Sequence, residues 1–387
     1  LMTDIKAFFH NVRVHPEDAD TFRYMWFTDK SMREAVVMLF LAHIFGSVSS
    51  SLVTSYVLRH HAEKIKPDFP ENVYEMLRHA FYVDDGSGGA DSVDEALQLK
   101  QDLIAAMKSG GFTLTKWKSN AVEVMDEDPN VAVDLSAKLE EPTKVLGAQW
   151  LPSTDCFIFR CDPEACKRVA TTPRELVSMQ ADNYDPLGFT APRALEGRRC
   201  LQLTRASEKG WDSTMEEALI KRFAKWYSAT PLLIQIEIPR HIEWGIVKAV
   251  RREVHIFCDA AIPGFGVVGY WLVEDEDGTI RVTILCAKAH VVPLDASKAS
   301  HHNSVPRLEM TAAEKAVKLK LFIKRTIPKV TEDMVTLWSD SEAVLKMIFD
   351  HKSKRPSFFA NRLSKIHSGS SDSQWRWVDS EDRKSVV

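Results

Sequence analysis

Positive charge is the first thing this sequence lacks. Fifty Lys and Arg stand against 54 Asp and Glu, a formal net charge of −4, whereas the footprint of a nucleic-acid binder is normally basic. A uniformly basic chain is thereby excluded, but a local basic surface is not. Residues 1–150 hold about eight more acids than bases, and the remainder is slightly basic. Arg193, Arg198, Arg199 and Arg205 could form such a surface, or simply a solvated helix face. Cysteine is sparse as well: six, at 156, 161, 166, 200, 258 and 286, with no Cys-x-x-Cys pair. That spacing matches neither a zinc site nor a small disulfide framework, and reduced thiols in an intracellular protein are expected. Leu1 is not followed by a basic stretch and a short apolar core, so no signal peptide and no secretion are expected. One run, residues 35–58, has no Lys, Arg, Asp or Glu and is long enough to cross a membrane. Its second half, however, carries Ser47, Ser49, Ser50, Ser51, Thr54 and Ser55, with His43 near the middle. A buried strand followed by a core-facing helix is therefore expected, with no membrane partner. Internal repeats and long low-complexity segments are absent.

What is present suffices for two or three domains. The 387 residues are 45% hydrophobic and 27% charged, ordinary values for globular cores. "ADSVDEALQLKQDLIAAMKSGGF" reads as one helix, with Ser92 and Glu95 as a capping box and Gly110–Gly111 as the stop. "TKVLGAQW" and "CFIFR", joined by "LPSTD", read as a β-hairpin. Thr172, Pro173 and Glu175 open a helix, which "YDPLGFTAP" then breaks. A basic helical stretch runs from about 195 to 228. From residue 253 the pattern changes to three strand-like runs with "EDEDG" as a hairpin tip. The amphipathic "RLEMTAAEKAVKLKLFIKRTI" follows, then "MVTLWSD", two short helices and "SQWRWV". That order indicates an α/β domain with a mixed sheet.

The chemistry is carried by acids. In "FYVDDGSGG" the neighbours Asp84 and Asp85 follow a strand-like run, and like charges so placed repel. Alone, the pair reads as turn residues. With Asp4, which follows a short apolar run and precedes Phe9 by five positions, it would form a site for hard divalent cations. Mg²⁺ prefers a few carboxylates plus phosphate oxygens, and two such ions serve phosphoryl transfer. A second set lies further on. Asp259 ends the first meander strand, Glu309 sits on the amphipathic helix, and Asp340 ends the fourth strand. Each alone is an ordinary surface acid, but strand ends and a facing helix can bring three carboxylates together.

These stretches resemble, in order over nearly the whole chain, the pol polyprotein of BEL/Pao-type LTR retrotransposons. "TDIKAFFHNVRVHPEDADTFRYMW" and "FYVDD" resemble the palm motifs of reverse transcriptase. "HIFGSVSSSLVTSYVLRHHA", "GGFTLTKWKSN" and "VLGAQW" are similar to its later blocks. "YDPLGFTAP" resembles the signature of a connecting region often labelled Pao retrotransposon peptidase. "FCDAAIPGFGVVGY", "SVPRLEMTAAEKAV" and "WSDSEAVL" resemble the ribonuclease H module. The resemblance implies an α/β protein: an α+β palm and start of thumb over 1–150, a helical and hairpin connection over 151–250, and a C-terminally incomplete ribonuclease H-like domain with a mixed sheet over 251–387. It further implies that Asp4, Asp84 and Asp85 bind Mg²⁺, with Mn²⁺ as an alternative, for nucleotide addition. Asp259, Glu309 and Asp340 would bind the same ions for RNA cleavage. Phe9 would block a ribose 2′-OH, Phe45 and Gly46 would lie near the nascent base pair, and Lys116 near the incoming triphosphate. The implied partners are an RNA–DNA hybrid, template, primer, dNTPs and the rest of the polyprotein, in a cytoplasmic particle or the nucleus.

Three departures accompany the resemblance. The chain begins at the palm motif, so the fingers are expected to be missing. The position of a fourth nuclease acid falls at about Val386, beyond the last clear match near Ser380–Glu381. Gly86–Ser87–Gly88 make a weak return strand after the acid pair. No Asp-Thr-Gly or Asp-Ser-Gly triplet occurs, so aspartic peptidase chemistry is not expected despite the label. Two classes of function stay open: a metal-dependent polymerase and nuclease on RNA–DNA, or a catalytically dead relic or nucleic-acid-binding fragment.

Overall fold

Alternating burial along short apolar runs builds the first unit. A computed structural model describes residues 1–28, 31–32, 34–125, 139, 141–159, 161–162, 164–207, 210–294 and 304–379. Position 386 lies outside these described residues. The chain divides into two compact units, residues 1–146 with 151–154, and residues 147–150 with the remainder.

The first unit contains β1 (Met2–Ile5), β2 (Arg23–Phe27), β3 (Ala35–Leu39), α1 (Ser50–Ile65), α2 (Glu71–His79), β4 (Phe81–Tyr82), β5 (Asp85–Ser87), α3 (Val93–Ser109), β6 (Leu114–Lys118) and β7 (Thr143–Val145). β1 lies inside an antiparallel sheet ordered β4-β5-β1-β6. Its side chains alternate faces, and Thr3 and Ile5 are buried while Asp4 is only half-buried. Ile5 joins Phe8, Leu58, Leu77, Leu103, Met107 and Trp117 in a core drawn from strands and helices alike. Ser92 caps α3 by accepting from Glu95 N at 3.2 Å, and the Glu95 carboxylate accepts from Asp91 N, one residue before the expected partner. Gly110 caps the other end, and Gly111 takes φ +79°.

The expected buried strand in the uncharged run is not found. β3 pairs only with β2, and all five of its residues are exposed. An apolar strand is buried only if another layer covers it, and no other strand joins this hairpin among the described residues. The helix half of that expectation holds, since α1 buries Ser50, Thr54, Leu58, Ala62 and Ile65.

The second unit opens with β8 (Ala148–Leu151) and β9 (Cys156–Ile158). It continues through α4 (Pro173–Ala181), α5 (Ala191–Ala206), α6 (Glu217–Ser228) and β10 (Glu237–Pro239). "TKVLGAQW" is thus not one strand, because Leu146 and Gly147 turn with φ +48° and +91°. The basic stretch is likewise two helices, α5 and α6. Thr172 and Glu175 form the complete capping box ahead of α4.

There follow β11 (Ala249–Ala261), β12 (Gly264–Asp275), β13 (Ile280–Val291), α7 (Val305–Thr326), β14 (Val335–Ser339), α8 (Glu342–Phe349), α9 (Ser357–Gly369) and β15 (Trp375–Trp377). The sheet order is β13-β12-β11-β14-β15. The first three strands form an antiparallel meander, and β14 and β15 join in parallel, so the sheet is mixed. α7 buries Met310, Ala312, Ala313, Ala316, Val317, Leu319 and Ile323 in a core with Val254, Ile256, Trp271 and Leu337.

The connecting segment is bonded to β13. Arg198 Nη1 donates to Ala289 O and Gln202 Nε2 to Val292 O, both at 2.6 Å. In the "YDPLGFTAP" loop the Asp185 carboxylate accepts from the backbone N–H of Gly188, Phe189 and Thr190. Gly188 takes φ +78°, and a Cβ there would lie 1.8 Å from Ala287 O, so only glycine lets loop and strand meet. Arg193 stacks on Trp226 and donates to its carbonyl and to Thr230, so that, with Arg198, two of the four arginines are in structural use. None of the six cysteines forms a disulfide, and no described helix is long and apolar enough to cross a membrane.

Candidate active sites

In the first unit, strand register sets Asp4 beside Asp85, with Asp84 in the adjoining turn. Asp4 pairs with Asp85 across β1 and β5, and Asp85 pairs on its other side with Tyr82 of β4. Val83 and Asp84 form the two-residue turn between β4 and β5, and Ile5 N donates to Asp84 O at 2.9 Å. Val83 takes φ +58°, costly for a β-branched residue and tolerated where the surroundings over-determine it. The return strand forms as β5, flanked by β4 and β1. Its glycines make room: a Cβ on Gly86 would sit 2.6 Å from the Phe81 ring, and one on Gly88 2.7 Å from Met76 Sδ.

The electrostatics reflect the crowding. Burial, then Asp84, then Asp4 hold the Asp85 carboxyl above its ordinary value, while Lys116 pulls the other way. Lys116 sits at an irregularity in β6, with φ +57°, where the register against β1 shifts between Met2 and Asp4. Its Nζ donates to Asp4 Oδ2 at 2.9 Å. That hydrogen bond and the Asp4 charge raise the lysine's own pKa. Phe9 is buried, and its ring meets that of the exposed Phe45 edge-on at 4.7 Å between centroids. Gly46 follows with φ +90°.

The second acid set gathers at one end of the mixed sheet. Parallel pairing places Cys258 beside Ser339, so Asp259 and Asp340 are the next residues along neighbouring strands. Glu309 projects from α7 and accepts a hydrogen bond from Ser341 Oγ. Ser341 Oγ in turn accepts from Val344 N at 3.3 Å as the N-cap of α8. One hydroxyl thus ties the helix acid to the strand end. Trp377 Nε1 of β15 donates to Asp340 O at 3.2 Å, and Asp259 Oδ1 accepts from Ala260 N at 2.7 Å. Ser341 was not among the residues singled out from the sequence. The available signal was its position as the cap before "EAVL", next to an acid at a strand end.

Both sets offer oxygen donors alone, the chemistry that hard divalent cations take. Among the described residues neither set brings its three carboxylates within 4.8 Å of one another, so holding an ion would require the side chains to close in.

The fold, helices with a mixed sheet, is similar to that of a solved reverse transcriptase. Residues 172–341 match the family model of the Pao retrotransposon-like RNaseH-like domain, a span that includes the signature loop, Asp259, Glu309 and Asp340. The resemblance to a retrotransposon pol protein is borne out by this match and by the fold. A similar solved structure is the foamy viral protease-reverse transcriptase in complex with dsDNA. The two share a TM-score of 0.53 at 11% identity, over 98% of this chain and 66% of that one. This chain therefore spans about two thirds of the length of that relative. No curated protein matches it.

Proposed function

We propose that this chain is a retroelement pol protein acting by phosphoryl transfer on RNA and DNA. In this reading its second unit cleaves the RNA strand of an RNA–DNA hybrid. The observation that carries the proposal is the parallel register of β11 and β14, which sets Asp259 beside Asp340 while Ser341 holds Glu309. These three acids would hold Mg²⁺, or Mn²⁺ in its place, and Asp4, Asp84 and Asp85 would do the same in the palm. The bound ions would polarise a phosphodiester and offset the charge that develops on it. The chain's own groups do the rest. Ser341 fixes the Glu309 carboxylate, and the Trp377 indole supports the backbone at Asp340. The hybrid is recognised by shape and by its 2′-OH groups, not by base sequence.

In the palm, Lys116 is the cation that a triphosphate would draw away from Asp4. Phe9, backed by Phe45, would stand against a ribose 2′-OH and favour dNTPs on a primed template. The domain limits at about 150 and 250 and the link to further polyprotein segments belong to the same proposal.

The test is Mg²⁺-dependent cleavage of the RNA strand in an RNA–DNA hybrid by the purified chain and by Asp259→Asn. Cleavage that falls on the order of a hundredfold or more in the variant supports the nuclease. A folded chain that binds the hybrid but leaves it intact with either ion would leave the other reading, a nucleic-acid-binding relic.

A further inference from the structure

At the far end of α8 and α9 three metal-ligating groups meet that neither acid set uses. His351, His367 and Asp372 each offer a ligand atom, all within 4.8 Å of one another. They come from three segments: the loop after α8, the last turn of α9, and the short 3-10 turn Asp372–Gln374 that leads into β15. His351 Nε2 lies 2.8 Å from Asp372 Oδ2, and the two imidazole centroids are 4.4 Å apart.

We propose that His351, His367 and Asp372 form a binding site for a borderline divalent ion, zinc in the first instance. Two imidazoles and one carboxylate are a known zinc donor set, with water or another ligand in the fourth position. It is the wrong set for Mg²⁺, which prefers oxygen alone.

The second shell supports this. His367 Nε2 lies 2.8 Å from Ile348 O. Donation to that carbonyl leaves the lone pair on Nδ1, the arrangement that a metal-bound histidine commonly shows.

The backbones are also fixed independently of any ion. Buried Lys320 donates to Gly369 O at 2.9 Å and to Gln374 Oε1 at 2.7 Å. His367 and Asp372 are each two residues before one of those anchors. The third ligand follows Asp350, whose carboxylate accepts from Lys352 N and Ser353 N. Ligand atoms about 2.1 Å from a tetrahedral ion are about 3.4 Å apart, so His351 and Asp372, now 2.8 Å apart, need to separate by about 0.6 Å, and the remaining pairs, all within 4.8 Å, to settle at that spacing. The ion would fasten α8, α9 and the entry to β15 at one point. β15 is the edge strand that reaches Asp340 through Trp377.

The test uses the full chain and Co²⁺ as a spectroscopic probe, followed by competition with Zn²⁺. One equivalent of Co²⁺ is expected with a tetrahedral ligand-field band and no thiolate charge-transfer band. Zn²⁺ should displace it and raise Tm. His351→Ala, a change at an exposed residue, should lose the band and the Tm gain while circular dichroism stays unchanged. Asp259→Asn and Cys161→Ser/Cys166→Ser should keep both. Absence of a bound equivalent, a band that survives His351→Ala, or one that vanishes in the cysteine double variant would overturn the assignment.

Discussion

Asp84 and Asp85 owe their cost and their use to the same crowding. Because Asp84 contributes to holding the Asp85 carboxyl high, Asp84→Asn should move that pKa down towards its ordinary 3.8. An NMR titration of the Asp85 side chain reads this directly, and no movement would leave burial and Asp4 as the causes. Ser341 carries two duties, so Ser341→Ala should cost about 1 kcal/mol as a lost helix cap and, under the proposed function, also lower hybrid cleavage. Ser341→Thr should recover most of both in urea unfolding and cleavage assays. A stability loss without a turnover loss would make it a cap only.

Between elements, the buried Lys320 joins α7 to the segment before β14 by pairing with Glu332. Burial pushes the Glu332 carboxyl up, but Lys320 and Lys324 together outweigh it and hold it at about 2, against an ordinary 4.5. A carboxylate with a lowered folded pKa lends stability that is whole above its unfolded value and is lost as pH falls through the folded one. Acid unfolding should therefore show a component between about pH 4.5 and 2 that Glu332→Gln removes. An unchanged acid profile in that variant would rule the pair out as a contributor. Gly188 shows the same dependence at the level of backbone. Gly188→Ala combines a left-handed φ with a clash against Ala287 O, and should cost on the order of 3 kcal/mol or more in the second unit. Urea unfolding followed by the fluorescence of the buried Trp271 would measure it.

Across the whole molecule, the parts legible in the sequence were those set by local pattern. β11 to β14 showed as apolar runs between turns, and α7 as one amphipathic stretch. The Thr172–Glu175 box was readable from four residues. Asp340 was readable because it closes such a run, whereas β11 continues two residues past Asp259, to Ala261, beyond the strand end expected from the sequence. What stayed hidden depends on distant chain. Lys116 reaches Asp4 only because β6 bulges against β1, more than a hundred residues away. Val83 in a left-handed turn goes against its own side-chain preference. His351, His367 and Asp372 have no compact spacing and meet only after α8 and α9 fold back. β3 misled for a related reason: apolar residues specify a wish for cover, and the cover has to come from elsewhere.

That uncovered hairpin has a practical consequence. Met25, Trp26, Phe27, Val36, Val37, Met38 and Leu39 stand in solvent on two short paired strands, the sort of surface on which chains stick edge to edge. Copies of the chain are expected to associate through this face at high concentration. Lysine at Met25 and Val37 should keep the protein in solution at concentrations where the parent clouds, as light scattering would record. Hybrid cleavage per molecule should stay the same.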